Sequence, residues 1–402
     1  MKNLADHDSF TDGVPHATFQ TMRDDAPLHW TPAFGGYKGF WSLTRYDDIS
    51  AAQKQPDVFS SAQGIRIEDQ SRAEYLARRT FQETDPPEHS ATRRTVNPAF
   101  AKPVVAEFAP LIDELASDIV AEALTETEFD GVDKIAKRLP MLMLGRILGV
   151  PKADLDWLVD RGDALIGNTD PDFSDAVIDR VDTDAYRMMP FRSPAGVELY
   201  DYAADILNGA RQITDDGILA RVRGEMSTLD FQNFFCLLVA AGNDTTRYSI
   251  AMALHLLATQ PGLLDALRDG DVLESAPDEV IRLAAPTLHF RRTATQDIEM
   301  HGQTIRAGDK VLLWFVSGCR DERVFDDPHT AHLDRSPNRH LAFGQNGPHV
   351  CLGMWLAKLE LRAVLREIAA CVRHIEPTGQ PTWTRSNFIC GVKTLPIAPT
   401  LL

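Results

Sequence analysis

The chain has 402 residues, of which 44% are hydrophobic and 25% are charged, as is usual for a globular protein with a large core. Its 41 basic and 58 acidic residues give a net charge of −17, and the acidic residues are spread along the chain. Because binding to phosphates requires the opposite sign, this charge argues against nucleic acid or an anionic membrane as the main partner.

The sequence lacks the apolar segments that membrane proteins require. The N-terminal stretch MKNLADHDSFTDG is polar, and no later window holds about 18 uninterrupted apolar residues. The five cysteines are scattered and form no Cys-x-x-Cys pair, which favours a reducing compartment and argues against a zinc site. We therefore expect a cytoplasmic protein without a membrane anchor.

Most of the chain has helical patterning. From Pro103, the stretch PVVAEFAPLIDELASDIVAEALTE repeats apolar residues at spacings of three and four, which predicts one helix. The segment from Thr228 to Gln260 is apolar almost all round, which predicts a helix buried in the middle of a large core. The stretch SAPDEVIRLAA predicts another helix after Ser275, with the serine as its cap.

Strand-like patterns are short and few. They occur in GFWSLTRY near the N terminus, in DIEMHGQTIRAGDKVLLWFVSG and in PTWTRSNFICGVKTLPI near the C terminus. The span 167–201 is polar and weakly patterned, so we expect mobile helices and loops there. The sequence therefore predicts a mainly α protein with a minor β region, folded as one domain over residues 1–402.

The stretch FGQNGPHVCLG, residues 343–353, surrounds one cysteine with glycines, a proline and a histidine. If the following helix begins at Cys351, its sulfur lies at the positive end of the helix, which favours the thiolate of a nucleophile or metal ligand. Two other interpretations remain open from these residues alone. One is a small buried side chain in a glycine turn, and the other is a nucleophile with His349 as its base.

The stretch AAGNDTT, residues 240–246, places polar residues and a glycine inside the long apolar helix. A threonine hydroxyl bonded to a helix carbonyl would open a bulge beside Asp244 and place an alcohol and an acid at a cavity. Such a pair delivers protons. The alternative, equally supported by the residues alone, is a helix–helix polar contact in which Asp244 pairs with Arg247.

Two further patterns are ordinary surface features when each is taken alone. In EVIR, Glu279 and Arg282 are three residues apart and meet on one helix face, usually as a modest ion pair. In DPPEHSATRR, a helix would place His89 and Arg93 on one face, four residues apart, where such side chains are usually solvated.

Taken together and in this order, the motifs resemble those of the cytochrome P450 family, the haem-thiolate monooxygenases, over nearly the whole chain. FGQNGPHVCLG is similar to the family's haem-binding loop, and AGNDTT to its oxygen-activation motif. EVIR resembles its Glu-x-x-Arg helix, and DRSPNRHLAFG the segment that brings Arg335 onto that pair. The resemblance implies the P450 fold, in which a large helical core encloses haem b (iron protoporphyrin IX).

The resemblance also implies roles for individual residues. Cys351 would be the axial ligand of the haem iron, and backbone N–H groups after it would temper the charge on sulfur. Thr245 would hold the bound oxygen in a hydrogen bond, and Asp244 would relay protons from solvent. The other expected haem contacts are His89, Arg93, Arg292 and His349 for the propionates, and Ala241, Gly242, Phe343, Gly344 and Gly353 around the ring.

By the same resemblance, Glu279, Arg282 and Arg335 would form a buried ion network that secures the haem loop and is structural rather than catalytic. An apolar pocket would lie above the haem and accept a terpenoid, a sterol or a fatty chain. His289 would point away from this pocket. The expected pocket residues are Leu237, Ala240, Ala241, Leu288 and Phe290.

Two positions depart from the family pattern. The haem loop usually has one residue between its first two glycines, whereas GQNG has two, Gln345 and Asn346. This insertion resembles bacterial members that act on sterols and branched-chain lipids, and NRHLAFG and RDERVF resemble terpenoid-hydroxylating ones. TAHLDR stands where the family usually has Phe-Asp, and we expect this change to affect local packing only.

The resemblance implies a bacterial-type monomer that takes electrons from a ferredoxin and its reductase and inserts one oxygen atom of O2 into a C–H bond. Two alternatives remain, a peroxide-driven haem-thiolate peroxygenase and a non-catalytic haem-thiolate ligand sensor. The Asp244–Thr245 pair argues against both, because neither activity depends on proton delivery. The ferredoxin would dock on the cysteine side of the haem. The expected basic docking patch is formed by Arg93, Arg94, Arg339, Lys358 and Arg362.

Overall fold

Fifteen α-helices are the main regular elements of the described chain, which comprises residues 1–345 and 347–402 of a computed structural model. The expectation for the GQNG insertion involves Asn346 and lies outside the described residues. None of the helices in the described ranges combines the length and apolarity needed to cross a bilayer. The helices are α1 (His16–Asp25), α2 (Tyr46–Gln53), α3 (Arg72–Arg78), α4 (Glu88–Val96), α5 (Lys102–Ala106), α6 (Ala109–Ala123), α7 (Arg138–Leu148), α8 (Leu155–Ile166), α9 (Pro194–Asn208), α10 (Ile218–Val222), α11 (Thr228–Thr259), α12 (Leu263–Arg268), α13 (Ala276–Ala284), α14 (Phe315–Gly318) and α15 (Met354–Cys371).

The strands form small sheets, which confirms the prediction of a mainly α protein with a minor β region. The largest has the order β1-β2-β8-β5-β3, in which only β2 and β8 pair in parallel. The others have the orders β4-β12-β9, β6-β7 and β10-β11. The strands are β1 (Leu28–Thr31), β2 (Phe40–Leu43), β3 (Phe59–Ser60), β4 (Phe129–Asp130), β5 (Phe290–Ala294), β6 (Ile298–Met300), β7 (Gln303–Ile305), β8 (Lys310–Leu313), β9 (Val372–Pro377), β10 (Thr382–Trp383), β11 (Val392–Thr394) and β12 (Pro396–Leu401).

The helix α11 runs through the middle of the protein, as its apolar sequence predicts. It begins where the Ser227 side chain accepts a hydrogen bond from the Asp230 backbone N–H, and it contacts α7, α8, α9, α13 and α15. Because neighbours surround it, residues on nearly all its faces are buried. The buried apolar side chains of the described chain form three clusters, and members of all three line one cavity beside α11.

Two helix starts and one helix cap differ from the sequence predictions. The single helix expected from Pro103 is split into α5 and α6, because Pro110 in the first turn of α6 cannot continue a preceding helix. The helix after the cysteine begins at Met354 rather than at Cys351. Ser275 precedes α13 but makes no side-chain cap, because its hydroxyl donates to the Leu333 carbonyl oxygen (2.6 Å) instead.

A buried ion network joins α13 to the segment 319–338. The Glu279 and Arg282 side chains have no solvent exposure, and the guanidinium donates to both carboxylate oxygens at 2.8 and 2.7 Å. Arg335 adds a third charge, 3.1 Å from the same carboxylate. Arg282 also donates to the Cys319 and Pro328 carbonyl oxygens at 2.8 Å each. The three predicted network residues therefore lie together and fix the chain that leads toward the cysteine.

The carboxylate next to this network ties down both flanks of the cysteine loop. The Asp278 side chain lies 3.0 Å from His340 Nε2, just before the loop, and 2.6 Å from Lys358 Nζ, in the first turns of α15. Because Asp278 and Glu279 both belong to α13, this one helix positions the loop from its two ends.

We predict that Glu279→Gln destabilises the protein by about 3–5 kcal/mol, because it leaves two buried arginine charges without a counter-charge. The measurement is the midpoint of urea denaturation followed by circular dichroism. Asp297→Asn is the control, since it removes an exposed ion pair with Arg306 and should shift the midpoint little. Equal midpoints for the two variants would contradict the assigned role of the network.

Candidate active site

One cavity brings together most of the residues that the sequence singles out. It lies between α4, α11, the loop 343–353, the start of β5 and the turn at 388–389. Its wall is mainly apolar, as a hydrophobic ligand requires. Of the predicted site residues, those that line it are His89, Arg93, Leu237, Ala240, Ala241, Gly242, Thr245, Phe290, Phe343, Gly344, His349, Cys351 and Gly353.

A closed backbone loop presents Cys351 to this cavity. The Cys351 backbone N–H donates to the Phe343 carbonyl oxygen (2.8 Å), and Gly344 turns the chain with a φ of +64°. Burial raises the pKa of the Cys351 thiol, although the Gly353 backbone N–H and Arg93 act in the opposite direction. The condition for the expected effect of the helix start is therefore not met, because α15 begins three residues later, and burial acts against the thiolate.

The loop glycines serve different purposes. A Cβ at Gly347 would lie 2.4 Å from the Gln53 carbonyl oxygen, so this glycine allows close packing against the end of α2. At Gly353, by contrast, no described atom outside its chain neighbours lies within 4 Å of such a Cβ. Gly353 lines the cavity. It therefore leaves room on the cavity side, as close approach of a flat ligand to the backbone requires.

Two histidines stand together at one wall of the cavity. The rings of His89, on α4, and His349 have centroids 4.1 Å apart. Burial lowers the pKa of His89 to about 4 and that of His349 to about 2, and nearby Arg292 adds to both shifts. Both rings are therefore neutral near pH 7. Both ring nitrogens of His89 are buried and have no hydrogen-bond partner among the described residues.

Arginines accompany these histidines. Arg93, one turn after His89 in α4, donates to the Pro348 carbonyl oxygen (3.1 Å), and so contacts the cysteine loop. Arg292 is buried in β5 and is not one of the described residues that line the cavity. Cations and an unpartnered imidazole beside Cys351 fit the anionic propionates of a haem, because they supply both charge and unused hydrogen-bonding groups.

Asp244 lies behind the cavity wall in a buried cluster between α11 and α8. Its carboxylate is 2.8 Å from Arg247 Nη2, and Arg247 Nη1 is 2.8 Å from Asp163 of α8. Asn243 donates to both acids, at 3.1 and 3.2 Å. The partly exposed Lys137 lies 3.2 Å from Asp163. The helix–helix contact, which we considered as an alternative interpretation of AAGNDTT, is therefore present.

The two acids of this cluster differ in pKa. Burial and the Asp163 carboxylate raise the pKa of Asp244 to about 7, although Arg247 acts in the opposite direction. Although burial opposes it, Arg247 and Lys137 hold the pKa of Asp163 below its ordinary value. Asp244 therefore gains and loses its proton near neutral pH, while Asp163 stays ionised.

Thr245, the next residue, lines the cavity. Its hydroxyl donates to the Ala241 carbonyl oxygen one turn earlier (3.1 Å), as the sequence suggests. The expected bulge is absent, because α11 is α-helical from Thr228 to Thr259. The glycine has another role, since a Cβ at Gly242 would meet the Leu144 side chain at 2.8 Å. Gly242 thus allows α7 to pack closely against α11.

The apolar wall differs from the sequence prediction at one residue. Leu288 has no solvent exposure and belongs to the cluster of the largest sheet, so it does not line the cavity as expected. Thr287, the preceding residue, lines the cavity, and Phe290 lines it as predicted. His289 points away as predicted, with Nδ1 3.0 Å from the Asn387 carbonyl oxygen.

Several cavity residues carry no signal in the sequence. They come from the segment 65–83, from the turn before α9 and from the C-terminal region, whose positions depend on long-range packing. They are Arg66, Arg78, Phe81, Glu83, Phe191, Phe388 and Ile389.

We predict that Asp163→Asn lowers the pKa of Asp244, because it removes a carboxylate that raises it. The measurement is the pH dependence of the carboxyl C=O band in infrared difference spectra, assigned with Asp244→Asn. Asp160→Asn is the control, since Asp160 is exposed and lies 3.9 Å from the same lysine, Lys137. An unchanged midpoint in Asp163→Asn would show that burial alone sets the pKa.

Known proteins resemble this chain over nearly its whole length. The sequence pattern of the family Cytochrome P450 matches residues 271–383. The methyl-branched lipid omega-hydroxylase of Mycobacterium tuberculosis is 36% identical over 400 residues, covering 96% of this chain and 91% of the relative. The linalool 8-monooxygenase of Pseudomonas putida is 32% identical over 409 residues, covering 98% of this chain and 97% of the relative.

A solved structure also resembles this chain over nearly its whole length. A Mycobacterium marinum cytochrome P450 in complex with pseudoionone superposes with a TM-score of 0.85 at 32% identity, covering 95% of this chain and 94% of that one. With the cysteine loop at the cavity and a buried acid behind the adjacent helix, these likenesses identify the chemistry as well as the fold. The chain belongs to the cytochrome P450 family and is an oxidoreductase, a monooxygenase that uses haem b.

Proposed function

We propose that this P450 hydroxylates a hydrophobic small molecule of the terpenoid, sterol or branched-lipid class with electrons from a ferredoxin. The observation that carries the proposal is the single cavity in which Cys351 and Thr245 share an apolar wall. The names of the two relatives, a lipid hydroxylase and a linalool monooxygenase, support the substrate class. In the overall reaction RH, O2, two electrons and two protons give ROH and H2O.

We assign Cys351 as the haem ligand and the histidine–arginine wall as the propionate site. The bound haem supplies the redox-active iron at which O2 is reduced. Burial raises the pKa of the Cys351 thiol, so the thiol would give up its proton only on ligating the metal, and the Gly353 N–H would then stabilise the sulfur charge. Arg93 and Arg292 would balance the charge of the propionates, and the neutral imidazoles of His89 and His349 would donate hydrogen bonds to them.

Asp244 and Thr245 have different roles in proton delivery. Asp244 gains and loses a proton near neutral pH, and it connects through Asp163 to Lys137, which is partly exposed to solvent. Thr245 Oγ1 lies at the cavity wall, and its hydroxyl would accept this proton while it gives its own hydrogen, which is bonded to the Ala241 carbonyl oxygen in the structure, to the reacting oxygen. The apolar wall excludes other water from the site.

The ferredoxin would bind on the surface that carries the cysteine loop. Two of the expected patch residues, Lys358 and Arg362, are already paired with Asp278 and Glu274. Arg94 and Arg339 are exposed and form no ion pair within the described chain, so their charges are available to an acidic partner.

The direct test is turnover under ¹⁸O2 with a ferredoxin and its reductase and a panel of terpenoid, sterol and branched-lipid compounds. We expect a hydroxylated product that carries one ¹⁸O atom. Product formation with hydrogen peroxide alone, and none with O2 and electrons, would instead support the peroxygenase. Ligand binding without any product would support the sensor.

We predict that Thr245→Ala binds substrate and accepts electrons but forms about tenfold less product per NADH, with the missing electrons recovered as hydrogen peroxide. Thr259→Ala is the matched control, because Thr259 makes the same bond to a carbonyl one turn earlier in α11 but is exposed and lies outside the cavity. If the two variants formed equal amounts of product per NADH, Thr245 would have no role in proton delivery.

We predict that His89→Ala increases the rate of haem transfer to apomyoglobin about tenfold, because it removes a hydrogen bond to a charged group. Arg94→Ala, an exposed change in the same helix, should leave this rate unchanged. Equal rates of haem loss in His89→Ala and the wild-type protein would contradict the propionate assignment.

We predict that the double variant Arg94→Glu/Arg339→Glu slows reduction by ferredoxin and flattens its dependence on salt, because the charges steer association. Stopped-flow reduction at several ionic strengths measures both effects. Arg306→Glu, an exposed change in the β7–β8 turn, serves as control. A rate and salt dependence like those of the wild type would place the docking surface elsewhere.

A further inference from the structure

The mainly apolar cavity has one charged corner, formed by the segment 65–83. Arg66, Arg78 and Glu83 line it there. None of these three residues belongs to the motifs that carry the P450 chemistry. Charged groups at the wall of an apolar cavity cost desolvation energy unless they bind something, so this corner requires an explanation.

Arg78 has an unused hydrogen-bond donor in this corner. It is the last residue of α3, and its side chain is only 6% exposed. Its Nε and Nη2 donate to Gln70 Oε1 at 3.1 and 2.9 Å, whereas its Nη1 is buried and has no partner among the described residues. Gln70 therefore fixes the guanidinium and leaves its other edge free. A planar guanidinium with one free edge is suited to a carboxylate.

Arg66 provides a second cation beside it. Its guanidinium stacks on the Phe191 ring, 4.3 Å from the centroid, and Phe191 also lines the cavity. Its Nη1 is 3.7 Å from Glu68 Oε1, too long for a hydrogen bond. The stacking therefore holds Arg66 in place and does not use its N–H donors.

Three acids lie near these arginines, and none of them bonds to Arg78 Nη1. Glu68 faces Arg66, and its pKa stays below the ordinary value because Arg66 opposes the effect of burial. Glu83 accepts a hydrogen bond from the Thr80 backbone N–H, and burial raises its pKa. Glu74 is engaged in the capping box of α3 and lies 3.8 Å from Arg187. These contacts leave the Arg78 Nη1 donor for a ligand.

The position of this corner sets the shape of the ligand. The Ala77 carbonyl oxygen, next to Arg78, accepts a hydrogen bond from Asn233 Nδ2 (3.3 Å). Asn233 precedes Thr245 by twelve residues in α11, which corresponds to about 18 Å along the helix axis. A ligand that reaches both ends of the cavity is therefore long, with an anionic group at one end and an apolar chain at the other.

We propose that Arg78, supported by Arg66, binds the carboxylate of a long-chain acid and directs the far end of that chain to the haem. The inference rests on the proposed hydroxylase function and narrows its substrate class. A neutral terpenoid would leave the Arg78 donor unsatisfied, which lowers its affinity. The product is an acid hydroxylated at the end of the chain remote from the carboxylate.

The test compares palmitic acid with methyl palmitate, both below the concentration at which they form micelles. Titration of the haem Soret band of the holoenzyme gives the Kd of each compound. We expect the wild-type protein to bind the acid at least about tenfold more tightly than the ester, and Arg78→Gln to lose this preference without weakening ester binding.

Further variants separate recognition from folding. Arg78→Lys should keep part of the acid preference because it keeps the charge, and Arg66→Gln should reduce the preference. Arg79→Gln is the matched control, since Arg79 is adjacent and instead pairs with the exposed Glu88. No acid preference in the wild-type protein, or equal weakening of acid and ester in Arg78→Gln, would overturn the proposal.

Failure of the carboxylate site can be distinguished from failure of the proposed hydroxylase function. Acid-selective binding without any hydroxylated product would keep the carboxylate site and reject the hydroxylase. Hydroxylation of neutral terpenoids or sterols by a protein with no acid preference would keep the hydroxylase and reject the carboxylate site.

Discussion

The structure depends on how the chain holds one sulfur atom at the wall of an apolar cavity. The bond from the Cys351 N–H to the Phe343 carbonyl closes the loop, but a closed loop alone would not fix its place in the fold. The helix α13 does so, because Asp278 holds residues on both sides of the loop and Glu279 anchors the chain before it. The long helix α11 supplies the facing wall.

The buried acids show that two interpretations of one motif can hold together. The ion pair of Asp244 with Arg247 and the role of Asp244 in proton delivery were alternatives when only residue types were considered. In the folded protein, burial and the nearby Asp163 raise the pKa of Asp244 to about 7, and the guanidinium limits that rise. Burial beside Asp163, rather than the ion pair with Arg247, therefore raises the pKa of Asp244 into the neutral range.

The sequence predicts local features well because helical periodicity and turn residues act over short distances. The limits of α11 and α13 and the face shared by His89 and Arg93 follow from such patterns. The Glu279 network is predicted by the family resemblance only, since its local pattern indicates an ordinary surface pair. Features that depend on packing are different. Periodicity predicts neither which side of the chain Leu288 faces nor the close contact of Leu144 with Gly242. Arg78 reaches the cavity only because distant segments fold together.

The most direct test of the account is the absorption spectrum of the reduced protein with carbon monoxide, because it reports the atom that ligates the haem iron. We predict the red-shifted Soret band of thiolate ligation in the wild-type protein and its loss in a folded Cys351→Ser variant. A spectrum without this band in the folded wild-type protein, or the same band in Cys351→Ser, would contradict the assignment of Cys351 and of the cavity around it.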